Sequence, residues 1–278
     1  MGTHTDWGSN FAAAGVDALT AYDEILVPRV FNPWGELLLD EVEVSPGLRV
    51  LDVACGPGTV TRLAAERVGP TGQVTGCDLS PGMLELAAAK KALDGAAPIT
   101  YEQCPADELP VPDGAVDVVL CQQGLQFFPD RAAALAELHR VLKPGGWAGV
   151  AVWCAIEECP FWDALAGAVG QVLGKEAEIS FRSGPWGLPE ADELERLFDG
   201  AGFSDVVVRR HGLPVVFEGG PPQLVATLSA ASVGPQVAAL DAGGRADLLA
   251  AAEAALKPFV HDGELRSEAA SHIVRAIR

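Results

Sequence analysis

One stretch, Arg49-Val50-Leu51-Asp52-Val53-Ala54-Cys55-Gly56-Pro57-Gly58-Thr59, constrains the fold more than any other. An apolar run of strand type meets a glycine turn, and a helix-like segment over 60–68 follows at once. Strand, glycine turn and helix in that order are how α/β folds build nucleotide sites. Glycine lets the backbone approach a ligand closely, and the helix start offers unpaired N–H groups. Position 61, where a dinucleotide fingerprint carries its third glycine, is Thr61, so the pyrophosphate of NAD is less well served. Asp78 closes the next strand-like run, 22 residues past Gly56. That is near the spacing of about 20 at which a carboxylate accepts from the two ribose hydroxyls of a nucleoside. Its other reading is a cap for the helix opened by Ser80-Pro81.

The pattern around this stretch alternates. Strand-like runs fall at 49–53, 73–77, 99–103, 116–121, 147–153 and 206–209, with helix-like runs at 60–68, 81–93, 131–142 and 190–200 between them. Short apolar strands alternating with amphipathic helices predict an α/β fold: a Rossmann-like, seven-stranded, mostly parallel sheet with helices on both faces. Lys143-Pro144-Gly145-Gly146 stops one helix and turns into the next strand. Upstream, a helical pattern over 9–26 breaks at Val27-Pro28-Arg29, and a second helix over 31–42 has Asn32 as cap and Pro33 in its first turn. The alternation fails in two places, 155–185 and 219–258, which both read helical, and Ile273-Val274 marks a short last-strand candidate. The resulting division is a helical lid segment at 1–45, a nucleoside-binding core at 46–154, a lid insert at 155–185, the rest of the core at 186–218, and a C-terminal helical cap with a last strand at 219–278.

Composition narrows the partners. A net charge of −19 repels phosphate backbones and anionic membranes, so nucleic acid and membrane are excluded as partners; oligomeric state leaves no mark. Apolar residues make up 49%, enough for a large core. No leader pattern, 18-residue apolar stretch or myristoylation signal is expected, and the chain reads as soluble and cytoplasmic. Six cysteines without a C-x-x-C pair read as small buried hydrophobes, with no metal site.

The residues of the glycine stretch resemble the first motif of the class I S-adenosylmethionine-dependent methyltransferases. The likeness continues through Gly76-Cys77-Asp78-Leu79-Ser80-Pro81-Gly82-Met83-Leu84, Ala106-Asp107-Glu108-Leu109-Pro110 and Asp117-Val118-Val119. It runs on through Gln122-Gln123-Gly124-Leu125-Gln126-Phe127-Phe128-Pro129-Asp130 and closes with Glu137-Leu138-His139-Arg140-Val141-Leu142-Lys143-Pro144-Gly145-Gly146. Together these cover residues 50–153 in the family's order and spacing, and the closest flavour is the branch acting on quinones and natural products. The resemblance implies S-adenosyl-L-methionine as cofactor and S-adenosyl-L-homocysteine as product. It implies Asp52 near the methionine end, backbone of Ala54, Gly56 and Gly58 against methionine and ribose, and Asp78 on the ribose hydroxyls. Leu79 and Met83 would sandwich the adenine, Ala106 and Asp107 would meet its edge, and Gln122 and Gln123 would flank the methionine end. Pro105 stands where relatives often carry an acid for the adenine amino group, which leaves that role to Asp107 or a carbonyl. Tyr22 resembles an aromatic that the family's N-terminal helix lays over the cofactor; plain packing is its other reading.

Methyl transfer is an in-line displacement that needs alignment and a dry pocket, and needs a base only when the nucleophile must lose a proton. No fixed catalytic residue is therefore expected, and Glu157, Glu158 and His211 stand unranked as bases. Gln126, Phe127, Trp153, Glu157 and Phe161 are the candidates for the acceptor pocket. The expected activity is methyl transfer to an O, N or C atom of a small molecule in secondary metabolism. The rivals are a non-methylating reaction, such as a cyclisation, on the same fold, and an NAD-dependent oxidoreductase. Arg29 either pairs with the cofactor carboxylate or sits exposed, and His139 reads as structural.

Overall fold

The computed structural model describes residues 16–278. Its described part opens with a single helical arm, which runs as α1 (Val16–Ala21), a wider π-type coil (Tyr22–Phe31) and α2 (Asn32–Glu41) without interruption. The expected break at Pro28 and cap at Asn32 are both corrected. Asn32 is itself helical, and its N–H donates to the Val27 carbonyl five residues back. Proline removes one donor, and Arg29 compensates: its guanidinium donates to the carbonyls of Glu24 and Ile25 at 3.3 and 3.2 Å. The same side chain pairs with Glu218 at 2.8 Å, which settles where Arg29 points in this structure. The part of the predicted first helix before residue 16 lies outside the described residues.

The sheet strands are β1 (Arg49–Val53), β2 (Gln73–Asp78), β3 (Ile99–Gln103), β4 (Val116–Gln122), β5 (Leu142–Trp153), β6 (Ser204–Phe217), β7 (Val260–His261) and β8 (Glu264–Ile277). Their order is β3-β2-β1-β4-β5-β8-β6, with β7 pairing only to β8. The first five are mutually parallel, whereas β8 runs antiparallel between β5 and β6. Helices α3 (Thr59–Val68), α4 (Pro81–Ala89), α5 (Arg131–Val141) and α8 (Ala191–Gly200) supply the crossovers. Between α5 and α8 come α6 (Pro160–Leu173) and α7 (Lys175–Ser183); after β6 come α9 (Gly220–Ala226), α10 (Gly234–Ala238) and α11 (Ala242–Leu256). The six strand-like runs of the expected seven-stranded sheet were right in position, but the sheet has eight strands, and β6 and β8 are each 14 residues long where four residues and one short candidate were expected.

Three apolar clusters hold the molecule. On one sheet face Leu38 and Leu39 of α2 and Val60, Ala64 and Val68 of α3 bury against Val50, Val74, Val118 and Ile273. On the other, Leu135 and Leu138 of α5 and Leu194 and Phe198 of α8 cover Leu51, Val119, Val150 and Val274. The third cluster lies where 155–185 and 219–258 meet: Phe161, Trp162 and Leu165 pack with Leu248, Leu256, Phe217 and Leu265. The long ends of β6 and β8 reach into it, so sheet and lid share strands. All six cysteines are free and buried. Among the described residues no helix is long and apolar enough to cross a membrane.

Candidate functional site

Strand order reverses between β1 and β4, and in open α/β sheets the crevice outside the carboxyl ends of such strands is where ligands sit. A cavity of about 440 Å³ occupies that place. Every one of the first five strands delivers residues to it: Ala54 and Gly56 after β1, Asp78 and Leu79 after β2, Cys104 to Asp107 after β3, Gln122 and Gln123 after β4, and Trp153 at the end of β5. Tyr22, Leu26, Val30 and Phe31 of the arm close one side, and Cys159, Trp162, Phe181, Trp186 and Thr227 close the top.

The two strand ends at the crevice both bend unusually. Ala54 and Gln123 have φ of +58° and +55°, a conformation that costs an L-residue free energy and concentrates at functional sites. Both residues line the cavity. Gln123 is held there by polar partners: its Nε2 donates to Ser271 Oγ at 3.0 Å, its backbone N–H to the Ala151 carbonyl, and its Oε1 accepts from Gln126 Nε2 at 3.1 Å. Gln122 faces the arm, donating to the Phe31 carbonyl at 2.9 Å.

Asp78 organises the opposite wall. Its Oδ2 accepts from the Gly56 N–H and its Oδ1 from the Ser80 N–H, both at 2.8 Å. The helix cap is Ser80 instead, whose Oγ accepts from the Met83 N–H at 3.4 Å. Burial raises the Asp78 carboxyl above its ordinary range, against the pull of those N–H bonds. Asp52 lies beneath, in a small recess shared with Tyr22, Phe31, Gly56 and Thr59. Only 1% exposed, it accepts a bond of 2.6 Å from the Thr61 hydroxyl, and burial pushes its carboxyl up to about 7. Thr61 thus stands in place of a third glycine for a reason: its hydroxyl is the partner of a buried acid. Tyr22 stacks on Phe31 at 4.9 Å, and burial together with Asp78 and Asp23 holds its phenol far above its usual range.

Twelve of the residues singled out from the sequence line this cavity: Tyr22, Ala54, Gly56, Asp78, Leu79, Met83, Ala106, Asp107, Gln122, Gln123, Phe127 and Trp153. Four do not. Gly58, with φ of +77°, sits against β3 and α4, where a Cβ would come within 2.5 Å of the Tyr101 hydroxyl and 3.2 Å of Ala87. Its part is to let the turn pack. Gln126 is buried behind Gln123, and Phe161 is buried in the lid cluster, 4.2 Å from Trp162. Glu157 is exposed outside the cavity, while Glu158 pairs with Arg210 at 2.6 Å and His211 faces Glu41 at 3.3 Å. His139 packs edge-on to Phe203 at 5.1 Å, as a structural residue does. The sequence reading missed Trp162, Phe181 and Trp186, which extend from Trp153 as a chain of rings with centroids 5.7 to 6.4 Å apart.

Residues 51–150 match a family described as a methyltransferase domain. A demethylmenaquinone methyltransferase of Staphylococcus aureus is 34% identical over 189 residues, which span 63% of this chain and 76% of that one. Among solved structures, phosphoethanolamine N-methyltransferase 2 of Haemonchus contortus aligns with a TM-score of 0.60 at 19% identity, over 100% of this chain and 60% of that one. The YcgJ protein of Bacillus subtilis aligns with a TM-score of 0.57 at 18% identity, over 88% and 97% of the two chains. At such identities these two likenesses are of fold.

Proposed function

The chain belongs to the class I S-adenosylmethionine-dependent methyltransferases, and on that premise we propose that it methylates a small, flat, largely apolar acceptor of the quinol or natural-product kind held under the lid. The observation that carries this reading is the wall of Trp153, Trp162, Phe181 and Trp186 facing the carboxyl ends of the strands. Aromatic walls suit planar apolar ligands, through area burial and ring contacts. The relative that acts on demethylmenaquinone lends the quinol class its support.

The strand-end residues fit the cofactor. At Gly56 a Cβ would meet nothing within 4 Å, so its face is open to the cavity, and Leu79 keeps 46% of its surface exposed where a flat base can cover it. In this reading Asp78 accepts from the ribose hydroxyls, Leu79 and Met83 flank the adenine, and Ala106 and Asp107 meet its edge. Gln122, Gln123, Ala54 and Gly56 border the methionine end, with Asp52 below. S-adenosylmethionine supplies a methyl group on a sulfonium whose charge disappears as the group moves. The chain contributes alignment, carboxylates opposite in sign to the cofactor's cationic groups, and exclusion of water. Incubation with S-adenosylmethionine and a panel of hydroquinones and phenols should release S-adenosylhomocysteine; acceptors that are aliphatic or phosphorylated turning over instead would defeat the acceptor assignment.

Two expected results follow from the side chains. Replacing Trp153 by alanine removes acceptor wall; it should raise the acceptor KM roughly ten- to a hundredfold, in line with about 1.5–3 kcal/mol for a large buried apolar side chain. Affinity for S-adenosylhomocysteine should change less than the acceptor KM. Asp52 makes a pH signature. Folded Asp52 holds its proton up to about 7 while the unfolded chain releases it near the ordinary aspartate value of 3.8. Its contribution to stability is therefore full below the unfolded value and is lost as pH rises through about 7. A ligand carrying an ammonium favours the ionised acid, so S-adenosylhomocysteine should bind more tightly as pH rises across that value, with release of a proton. Calorimetry in buffers of different ionisation heat reads this directly, and Asp52→Asn should abolish it.

A further inference from the structure

Lys90 follows the last residue of α4 and has no part in the motifs of the family. Its Nζ donates to Asp23 Oδ1 at 2.6 Å and to the Pro57 carbonyl at 2.8 Å. One ammonium thus joins the helical arm to the middle of the Gly56-Pro57-Gly58 turn. Both side chains of the ion pair are about three-quarters buried, with 23% and 22% exposure, so solvent screens them only in part.

What those two partners control gives the contact its meaning. Asp23 adjoins Tyr22, which lines the cavity close enough to Asp78 to feel its charge. Pro57 lies between two glycines of positive φ, 54° and 77°, and the first of them donates its N–H to Asp78. The arm rests on α4 as well: a Cβ at Gly82 would come within 2.9 Å of Leu19 Cδ1. Arm, α4 and glycine turn therefore meet at a single cation.

We propose that Lys90 is a positioning residue for the cofactor half of the site: its ammonium latches Asp23 to the Pro57 carbonyl, which sets Tyr22 over Asp78 and fixes the glycine turn in its ligand-ready shape. This rests on the placement of the cofactor given above. Without the latch the turn loses a donor and Asp23 loses its counter-charge, so the arm opens more often and part of the binding free energy goes into re-closing it.

Lys90→Met keeps an unbranched side chain one atom shorter and removes its charge and donors. By calorimetry it should bind S-adenosylhomocysteine about tenfold more weakly, the lower range for charge-assisted hydrogen bonds at a partly exposed site. Lys90→Arg, which keeps a cation with several donors, should recover most of that loss. Asp23→Asn should also weaken binding, yet add less than about twofold in the Lys90→Met background, because the two groups act as one unit. Backbone hydrogen exchange over residues 16–31 should quicken in Lys90→Met and slow less when S-adenosylhomocysteine is added. Unchanged affinity in Lys90→Met overturns the latch, as does full additivity of the two substitutions or unaltered exchange in the arm. If Lys90→Met does not fold, Asp23→Asn and the exchange data on it decide the matter alone. Failure of the wild-type protein to bind S-adenosylhomocysteine would instead strike at the cofactor placement itself, a distinguishable result.

Discussion

Ending the chain at Gly263, just before β8, is expected to leave it unfolded and insoluble. The missing strand is internal to the sheet: it pairs with β5 from Trp147↔Ile277 to Trp153↔Ser271 and with β6 as far as Phe217↔Leu265. It also feeds all three apolar clusters, through Ile273 on one sheet face, Val274 and Ala276 on the other, and Leu265 and Ala269 in the lid. At roughly 1.5–3 kcal/mol for each large buried aliphatic side chain, with two ladders of hydrogen bonds lost besides, the deletion exceeds the 5–15 kcal/mol that stabilises a typical domain. Its exposed strand edges would also invite aggregation. A milder variant gives a number: Ile273→Ala should lower the unfolding free energy by about 2–4 kcal/mol, seen as a lower urea midpoint at unchanged slope. A soluble monomer with native circular dichroism from the shortened chain would contradict the central role given to β8.

That strand is also where the sequence was hardest to read. β1 and β4 are near-continuous apolar runs because parallel strands are buried on both faces, and they were placed to within a residue. β8 carries Glu, Arg, Ser and His among its apolar residues, and its buried polar members owe their place to partners far away in the chain. Ser271 is buried because its Oγ donates to the Val152 carbonyl at 2.6 Å and accepts from Gln123. No local pattern announces that. The visible sign was Asp262-Gly263, whose φ values of 53° and 86° make the two-residue hairpin turn from β7 into β8. The site divides in the same way. Residues at the strand ends follow from the topology and are legible through the motifs. Lid residues are placed by how helices dock, which the sequence does not state: Trp162 lines the cavity while its neighbour Phe161, one helical step of about 100° away, points into the core. Gln126 lies outside the cavity lining for a related reason, since its side chain turns back to hold Gln123.

Asp78→Ala should have the largest effect on ligand binding. The carboxylate offers about four acceptor sites, and the N–H groups of Gly56, Ser80 and Leu79 draw on them without using them all. Those remaining lone pairs are the ones the ribose hydroxyls would use. On the proposed placement alanine would remove the ligand's contacts with this carboxylate and, at the same time, free the Gly56 N–H that fixes the turn on which the nucleoside would lie. Loss of affinity for S-adenosylhomocysteine should reach about 3 kcal/mol, more than a hundredfold, the upper end for hydrogen bonds to a charged group. Asp78→Asn keeps one acceptor oxygen and can still take a backbone N–H, so it should fall between the two, near tenfold. Stability should suffer far less than binding, because Ser80 continues to cap α4 and the strand beneath is intact. Titration calorimetry on the two variants separates the roles. An alanine variant that binds as tightly as the wild type would reduce Asp78 to a brace between the glycine turn and Ser80, and the ribose would then have to be held elsewhere in the cavity.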